Sequence, residues 1–249
     1  MFKTILKIFA WLMLTAFLVF TIGFVVKEIE NVNCQNVSVQ IIEGSPRFLN
    51  NDDILELLKK IDNSVFGKSL KEINTEELEE KLNAVASIKN VEVFRRINGK
   101  SLEFTGKLVV EVEQRNPIIR IKTSKGDYYL DGEGVKIPVS EKFAAKVLVA
   151  NGTVPDDFAT DDLLRFSEFV YSNPFWKAQF EQLYVRPNKE ILLIPQIGDH
   201  VIEFGKTDNY REKLRNLKAV YLKGFSKTGW DKYKTINLKY KNQVVCTKK

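Results

Sequence analysis

Val110-Glu111-Val112-Glu113-Gln114-Arg115-Asn116-Pro117-Ile118 is the stretch on which the reading of the fold turns. Its first half continues an alternation from Lys107 to Gln114, with Leu108, Val110 and Val112 facing one way and Glu111 and Glu113 the other. A period of two is the mark of a half-buried β-strand. Asn116-Pro117 then interrupts the pattern. Proline donates no ladder hydrogen bond and restrains the residue before it. A strand stopped this way in mid-chain predicts a domain boundary near Arg115.

Upstream of the boundary, Val37 to Ile41 alternates and predicts a strand, and Glu43-Gly44-Ser45-Pro46 a turn. Asn50 or Asn51 can cap a helix whose apolar stripe is Ile54, Leu55, Leu58 and Ile61. Residues Asp62 to Gly67 break that helix, and a second one starts near Asn74 or Thr75. Glu77 stands where reciprocal capping with Asn74 is expected, and Leu78, Leu82 and Val85 form the stripe. Val91 to Phe94 begins the next strand, and Asn98-Gly99 is a turn signal before the strand that ends at Gln114. The order over residues 37–114 is therefore β-α-α-β-β. Two helices laid on one face of three strands make a complete small layer.

Downstream, residues 115–246 read as a mostly antiparallel β domain with flanking helices, which makes the whole chain α+β. Strands are expected at Ile118 to Ile121, Tyr128 to Leu130 and Val135 to Ile137, with Asp131 to Gly134 turning between the last two. Further strands are expected at Lys146 to Val149 (ended by Asn151-Gly152), Leu183 to Val185, Glu190 to Ile194 and His200 to Phe204. Thr160 is expected to cap a helix bearing Leu163, Leu164, Phe166 and Phe169, which Pro174 ends. Another helix is expected from Asp208 to Tyr221. The last element, Thr235 to Val245, alternates Ile236, Leu238 and Tyr240 with Asn237 and Lys239, leaving residues 247–249 as a tail.

At the other end, Ile8 to Val26 runs for 19 positions without a charge. At 1.5 Å per helical residue that is about 28 Å, close to the ~30 Å hydrocarbon core of a bilayer. The run is longer than a signal-peptide core and lacks an Ala-x-Ala-like step, so it reads as an uncleaved transmembrane helix. Lys3 and Lys7 precede it, whereas Lys27, Glu28 and Glu30 follow. The positive-inside rule puts a tail of residues 1–7 in the cytoplasm and the bulk of the chain across the membrane.

About 220 residues remain outside the span, with 44% of the chain apolar, enough for packed cores. The net charge of +6 is unevenly placed: from Lys213 to Lys249 there are eleven Lys or Arg and one acid, Asp231. Outside the cytoplasm such a face meets no nucleic acid. It is either a solvated surface or one suited to an acidic protein or anionic envelope material.

The residues for catalysis are missing. The single histidine, His200, lies beside Asp199 before a strand and reads as a turn residue. Gly205-Lys206-Thr207 lacks the earlier glycine of a phosphate loop, and Gly132-Glu133-Gly134 lies in a hairpin, not between a strand and a helix. The clustered Glu76, Glu77, Glu79 and Glu80 complement a helix dipole. Cys34 and Cys246, without patterned spacing, read as unpaired thiols. The expectation is a protein that is not an enzyme, with no catalytic residue, metal or cofactor.

Three stretches carry a resemblance. Val110 to Ile118 is similar to a V-x-V-x-E/Q-R-x-P domain junction, Tyr129 to Val135 to a Y-x-x-D-x-x-G hairpin, and Ile236 to Gln243 to a closing I-D-L-R-Y strand. In this order, behind one anchor and a β-α-α-β-β domain, they resemble the bacterial division family FtsQ/DivIB, whose first soluble domain is a POTRA domain. Ile121 departs from that pattern, where an aromatic is common, and the L-x-G step is loose at Leu148 to Gly152.

The resemblance implies a divisome scaffold in the inner membrane at the septum. Its terminal strand receives FtsB- and FtsL-like partners by strand addition, and its POTRA domain meets other divisome proteins. It puts partner binding at Ile236, Leu238, Lys239, Tyr240, Asn242 and Val244. Tyr240 is then an interface anchor, or, on the face shared with Ile236 and Leu238, a core residue. The lysines of this strand either protect its edge or steer an acidic strand. The alternatives in function are a POTRA-type envelope chaperone or outer-membrane assembly factor, and an anchored wall hydrolase.

Overall fold

The computed structural model describes residues 2–100, 103–225 and 229–249. The chain divides into two compact units, Met1–Gln114 and Arg115–Lys249.

The first unit begins with helix α1 (Phe2–Glu30). It contains the one helix stretch, Leu6–Ile29, that is long and apolar enough to cross a membrane among the described residues. None of its most apolar window is buried within the protein. Thr15 and Thr21 give their hydroxyl protons to the carbonyls of Leu12 and Phe17, one turn back, so neither leaves a bare donor on an apolar surface.

The rest of the unit is β1 (Cys34–Ile41), α2 (Asn51–Ile61), α3 (Thr75–Asn83), β2 (Ile88–Lys100) and β3 (Glu103–Gln114). The sheet order is β1-β3-β2, with β1 parallel and β2 antiparallel to β3. Ile54, Leu58, Leu78 and Leu82 from the helices close over Val91, Val93, Leu108, Val110 and Val112 from the sheet. Local chemistry sets the helix starts. Asn50 accepts from the Asp53 N–H at 2.9 Å while Asp53 accepts from the Asn50 N–H at 2.9 Å, a closed capping box. Asn74 likewise accepts from the Glu77 N–H at 3.2 Å, but the Glu77 carboxylate turns forward to Lys81 at 2.6 Å. The expected reciprocal cap on α3 is thus half made. At the end of β3, the buried Gln114 amide exchanges both its hydrogen bonds with the backbone of Leu49, at 2.9 and 2.7 Å.

The turn expected at Asn98-Gly99 is not one. Both residues lie in the β2–β3 ladder opposite Thr105 and Phe104, and pairing continues to Lys100↔Glu103. A β-carbon at Gly99 would meet the Phe104 ring at 3.1 Å. The glycine makes room for a cross-strand aromatic instead of turning the chain.

Among the described residues of the second unit, nine strands form one sheet. They are β4 (Pro117–Thr123), β5 (Gly126–Asp131), β6 (Lys136–Pro138), β7 (Leu148–Gly152), β8 (Phe180–Val185), β9 (Ile191–Pro195), β10 (Val201–Gly205), β11 (Tyr233–Asn237) and β12 (Val245–Lys248). Their order is β12-β11-β10-β9-β8-β7-β4-β5-β6. The β4–β7, β7–β8 and β10–β11 pairs are parallel and the others antiparallel. Parallel pairs need long crossovers. The β7–β8 crossover carries α4 (Asp156–Thr160), α5 (Asp162–Ser172) and α6 (Pro174–Gln179). The β10–β11 crossover carries α7 (Tyr210–Ala219) and a π-helical stretch, Val220–Phe225. Leu163, Phe166, Val170, Trp176, Leu214 and Leu217 from these helices pack with Ile121, Ala150, Leu183, Leu193, Ile202 and Phe204 from the sheet in one core cluster.

Several boundaries differ from the expectation. Thr160 ends α4, and its hydroxyl goes to the Asp156 carbonyl at 3.0 Å instead of capping α5. Pro174 starts a helix: the Asn173 side chain accepts from the N–H groups of Phe175 and Trp176, and proline fits the first helical position. β7 runs on through Asn151-Gly152, and β1 starts at Cys34, ahead of Val37.

The largest correction concerns the last element. Thr235 to Val245 is not one edge strand. β11 ends at Asn237, residues 238–244 turn, and β12 returns alongside. β11 is sandwiched: Ile236 lies opposite Ile202 of β10 on one side and Cys246 of β12 on the other. Thr247 and Lys248, expected as tail, are strand residues. The physical reason is that alternation reports which face is buried; it is blind to how many neighbours a strand has.

Candidate partner-binding site

A sheet that does not close has two edges. At one edge of this one, β6 is three residues long and ends in Pro138, two features that blunt strand addition. At the other, β12 pairs, among the described residues, with β11 alone. Val245, Thr247 and Lys248 are exposed, and Cys246 is half-buried, packing against the core. Successive residues of an edge strand turn their backbone groups alternately toward the sheet and away from it, so β12 presents N–H and C=O groups to the outside. Burial pushes the Cys246 thiol up, which keeps it protonated and unreactive at neutral pH. Both cysteines are free thiols.

The register across the sheet tells what flanks this edge. Asn237 of β11 lies opposite Glu203 of β10 and Val245 of β12, and Thr235 opposite Val201 and Thr247. Lys239, past the end of β11, folds back over this row. Its ammonium lies 3.5 Å from Glu190 and 3.7 Å from Glu203, and Arg186 reaches the same two carboxylates. Its stem runs across Gly205, where a β-carbon would meet Lys239 Cγ at 2.7 Å. Asn237 completes the cluster, donating to Glu203 at 2.9 Å and accepting from the Lys239 N–H at 2.9 Å. Desolvation pushes the Glu190 carboxyl up, but a hydrogen bond from Asn188 and the charge of Lys239 together outweigh it and leave the group below its ordinary value.

The turn after Lys239 forms one wall of a cleft of about 400 Å³. Tyr240, Lys241 and Asn242 line it from the turn, and Lys206, Asn209 and Lys213 from the β10–α7 side. Lys213 is tied to Asp208 at 2.9 Å and to the Lys206 carbonyl at 2.7 Å. Tyr240 is 56% exposed: it is a surface residue, not part of the core.

The six residues singled out by sequence therefore separate. Ile236 and Leu238 are 0% and 2% exposed and belong to the core. Val244 is half-buried against the same core. Lys239 sits in the ion cluster just described. Tyr240 and Asn242 stand exposed at the cleft, whose lining Leu238 and Lys239 also reach. The edge itself, Val245 to Lys248, went largely unread. The short run Val244-Val245-Cys246-Thr247, rich in β-branched residues, is the signal that could have found it.

His200 is not a turn residue open to solvent. It is 1% exposed, with Nε2 3.0 Å from the Tyr221 hydroxyl, and burial pushes its pKa down. A ring sealed this way cannot reach a substrate. Among the described residues no group of three or more His, Cys, Asp or Glu is placed to hold a metal ion.

The comparisons with known proteins follow the same division of the chain. Residues 32–101 match the POTRA-like domain family. Residues 116–247 match the family described as FtsQ/DivIB, C-terminal related. No curated protein matches the chain. Since the second match spans more than half of the chain, and a POTRA-like domain and an apolar N-terminal helix precede it, this protein belongs to the FtsQ/DivIB C-terminal related family and is a division-associated POTRA protein.

Proposed function

We propose that this protein is a non-enzymatic, membrane-anchored scaffold of the division machinery that captures FtsB- and FtsL-like partners by strand addition to β12. The observation that carries the reading is the terminal place of β12 in a nine-stranded sheet whose opposite edge is blunted. Strand addition draws affinity from main-chain hydrogen bonds and specificity from alternate side chains. Tyr240 and Asn242 would flank the added strand. Ile236, Leu238 and Val244 would support it from the core, and Lys239 would brace the turn. Lys241, Lys248 and Lys249 would favour an acidic segment. The POTRA-like domain would meet other divisome proteins. Lys3 and Lys7, which precede the uncharged run of α1, favour a cytoplasmic N-terminus in the inner membrane, with both folded units on the far side at the septum.

Deleting the C-terminus is a poor test, because a cut before Thr235 removes the buried Ile236 and a cut before Val245 turns β11 into a new edge. Proline substitutions are cleaner. Of Cys246→Pro and Thr247→Pro, one removes an N–H aimed at β11 and the other an N–H aimed outward. In full-length protein in nanodiscs, the outward change is expected to keep the fold and weaken capture of the partner pair about tenfold or more, as loss of one hydrogen bond and a steric block require. Full capture by both variants rules out β12 as the docking edge.

A further inference from the structure

His200 is the one histidine in the chain, and it is buried at the entrance to β10. Its Nε2 has the Tyr221 hydroxyl as partner, whereas Nδ1 is buried without a hydrogen-bond partner among the described residues. Aromatic rings enclose it. The centroids of Tyr221, Phe225 and Trp230 lie 5.7, 5.5 and 6.3 Å from that of the imidazole. Gly198 closes another side, where a β-carbon would come within 2.9 Å of Nδ1. Protonation of this ring would put a charge and a second N–H into a space with one hydroxyl to receive them.

This box holds the end of the sheet together. Phe225 stacks on Tyr233, the first residue of β11, at 5.3 Å. Val201, next to His200, pairs with Thr235 of β11, and Tyr233 pairs with Lys248 of β12. Lys249 donates its N–H to the Lys232 carbonyl at 3.1 Å and its ammonium to Asp199 at 3.2 Å. The titratable groups facing the imidazole are Tyr221 from the helical stretch, Asp199 from the turn before β10 and Lys249 from the end of β12. Asp199 favours the imidazolium and Lys249 opposes it, but desolvation outweighs both and keeps the ring neutral. Burial also pushes the Tyr221 phenol up, so it stays a protonated partner.

We propose that His200 is an acid-released latch on the β11–β12 edge: the neutral ring keeps residues 220–225 packed on β11, and protonation frees the strand pair. As a regulator of partner capture the latch rests on the reading of β12 as the docking edge; as a conformational device it does not. The sign follows from linkage. When the box opens, the imidazole returns to an ordinary pKa of about 6.5, above its value in the closed box. The open form therefore binds more protons. Closure is fully favoured above about pH 6.5 and weakens by up to about tenfold per pH unit below it, until the closed-state pKa is passed.

The test uses the full-length chain in nanodiscs. The lone histidine gives one imidazole resonance, so its titration needs no assignment by mutation. Amide exchange in residues 233–248, corrected for intrinsic rates, is followed from pH 7.5 to 5. Protection there is expected to fall by tenfold or more over this range while that of β4 and β5 holds. His200→Phe, which fills the box without a titrating group, should remove the step; His200→Gln serves if the phenylalanine variant does not fold. Constant protection while the histidine titrates overturns the latch, as does an equal step in either variant. Capture of the partner pair by the parent at pH 7.5 is the separate arm. Failure there with the exchange step intact sinks the docking edge and leaves the latch standing.

Discussion

Truncating Ile236 to alanine should cost the second unit about 3 kcal/mol, whereas truncating Tyr240, four residues on, should cost it almost nothing. Ile236 is fully buried between β10 and β12. Losing three carbons forfeits roughly 2.4 kcal/mol at ~0.8 kcal/mol each. Strands on both sides restrict collapse into the hole, and a residual cavity brings the total to about 3–4 kcal/mol, within the usual range for such truncations. For a unit of this size that is a drop in Tm of roughly 10 °C. Tyr240 is 56% exposed, so its removal should stay within about 0.5 kcal/mol. Its effect belongs in partner capture, at about 1 kcal/mol or more if it is an anchor. Tryptophan fluorescence separates the units: Trp176 and Trp230 lie in the second, and Trp11 in α1 can be silenced by Trp11→Phe. An Ile236→Ala protein that melts within 2 °C of its parent would refute the sandwiched placement of β11, and a Tyr240→Ala protein that melts as early as Ile236→Ala would refute the surface placement of Tyr240.

Three further outcomes are expected. Asn50→Ala opens the capping box of α2 and should lower the stability of the first unit by about 1 kcal/mol, read as faster amide exchange in residues 51–61. Asp131→Ala leaves Arg115, which it meets at 2.6 Å, without its most buried counter-charge, and also frees the N–H groups of Glu133 and Val135. A loss of about 3–5 kcal/mol should appear in denaturant titration, with partial recovery in the Arg115→Met double variant. The paired hydrogen bonds from Arg120 hold the Asp127 carboxyl below its ordinary value. Its stabilising effect is therefore complete above about pH 4 and is lost as pH falls through the lowered value, which an NMR titration of parent and Arg120→Met proteins would show.

The first unit was legible because its signals are local. A cap such as Asn50 acts over three residues, and the stripe of Ile54 and Leu58 needs only its own helix to be seen. Asn98-Gly99 misled because the same dipeptide serves a tight turn or, with Phe104 across the ladder, a flat paired strand. In the second unit the strands were largely found but their neighbours were not. The parallel pairings of β4, β7 and β8 depend on the helical crossover that joins β7 to β8 and on the hairpin strand β5 beside β4, and no window of sequence carries that. At the site, the spacing of Ile236 and Leu238 predicts one buried face, and both are buried, although β11 ends at Asn237. Whether that face belonged to an edge or an interior strand depended on Val245 to Lys248 folding back.

The sequence alone determined the β-α-α-β-β order of the first unit, the apolar span of α1 and the family resemblance. Each rests on covalent neighbours: periodicity, a proline, a cap, a run without charge. Tertiary structure decided which strand is the edge, that Lys239 is held by carboxylates of its own molecule, that Tyr240 faces solvent, and that the lone histidine is sealed among aromatic rings. These depend on contacts between residues far apart in the chain. A pattern of polar and apolar residues tells which side of a strand is dry, but only the packed sheet determines which backbone groups are left for another chain to meet.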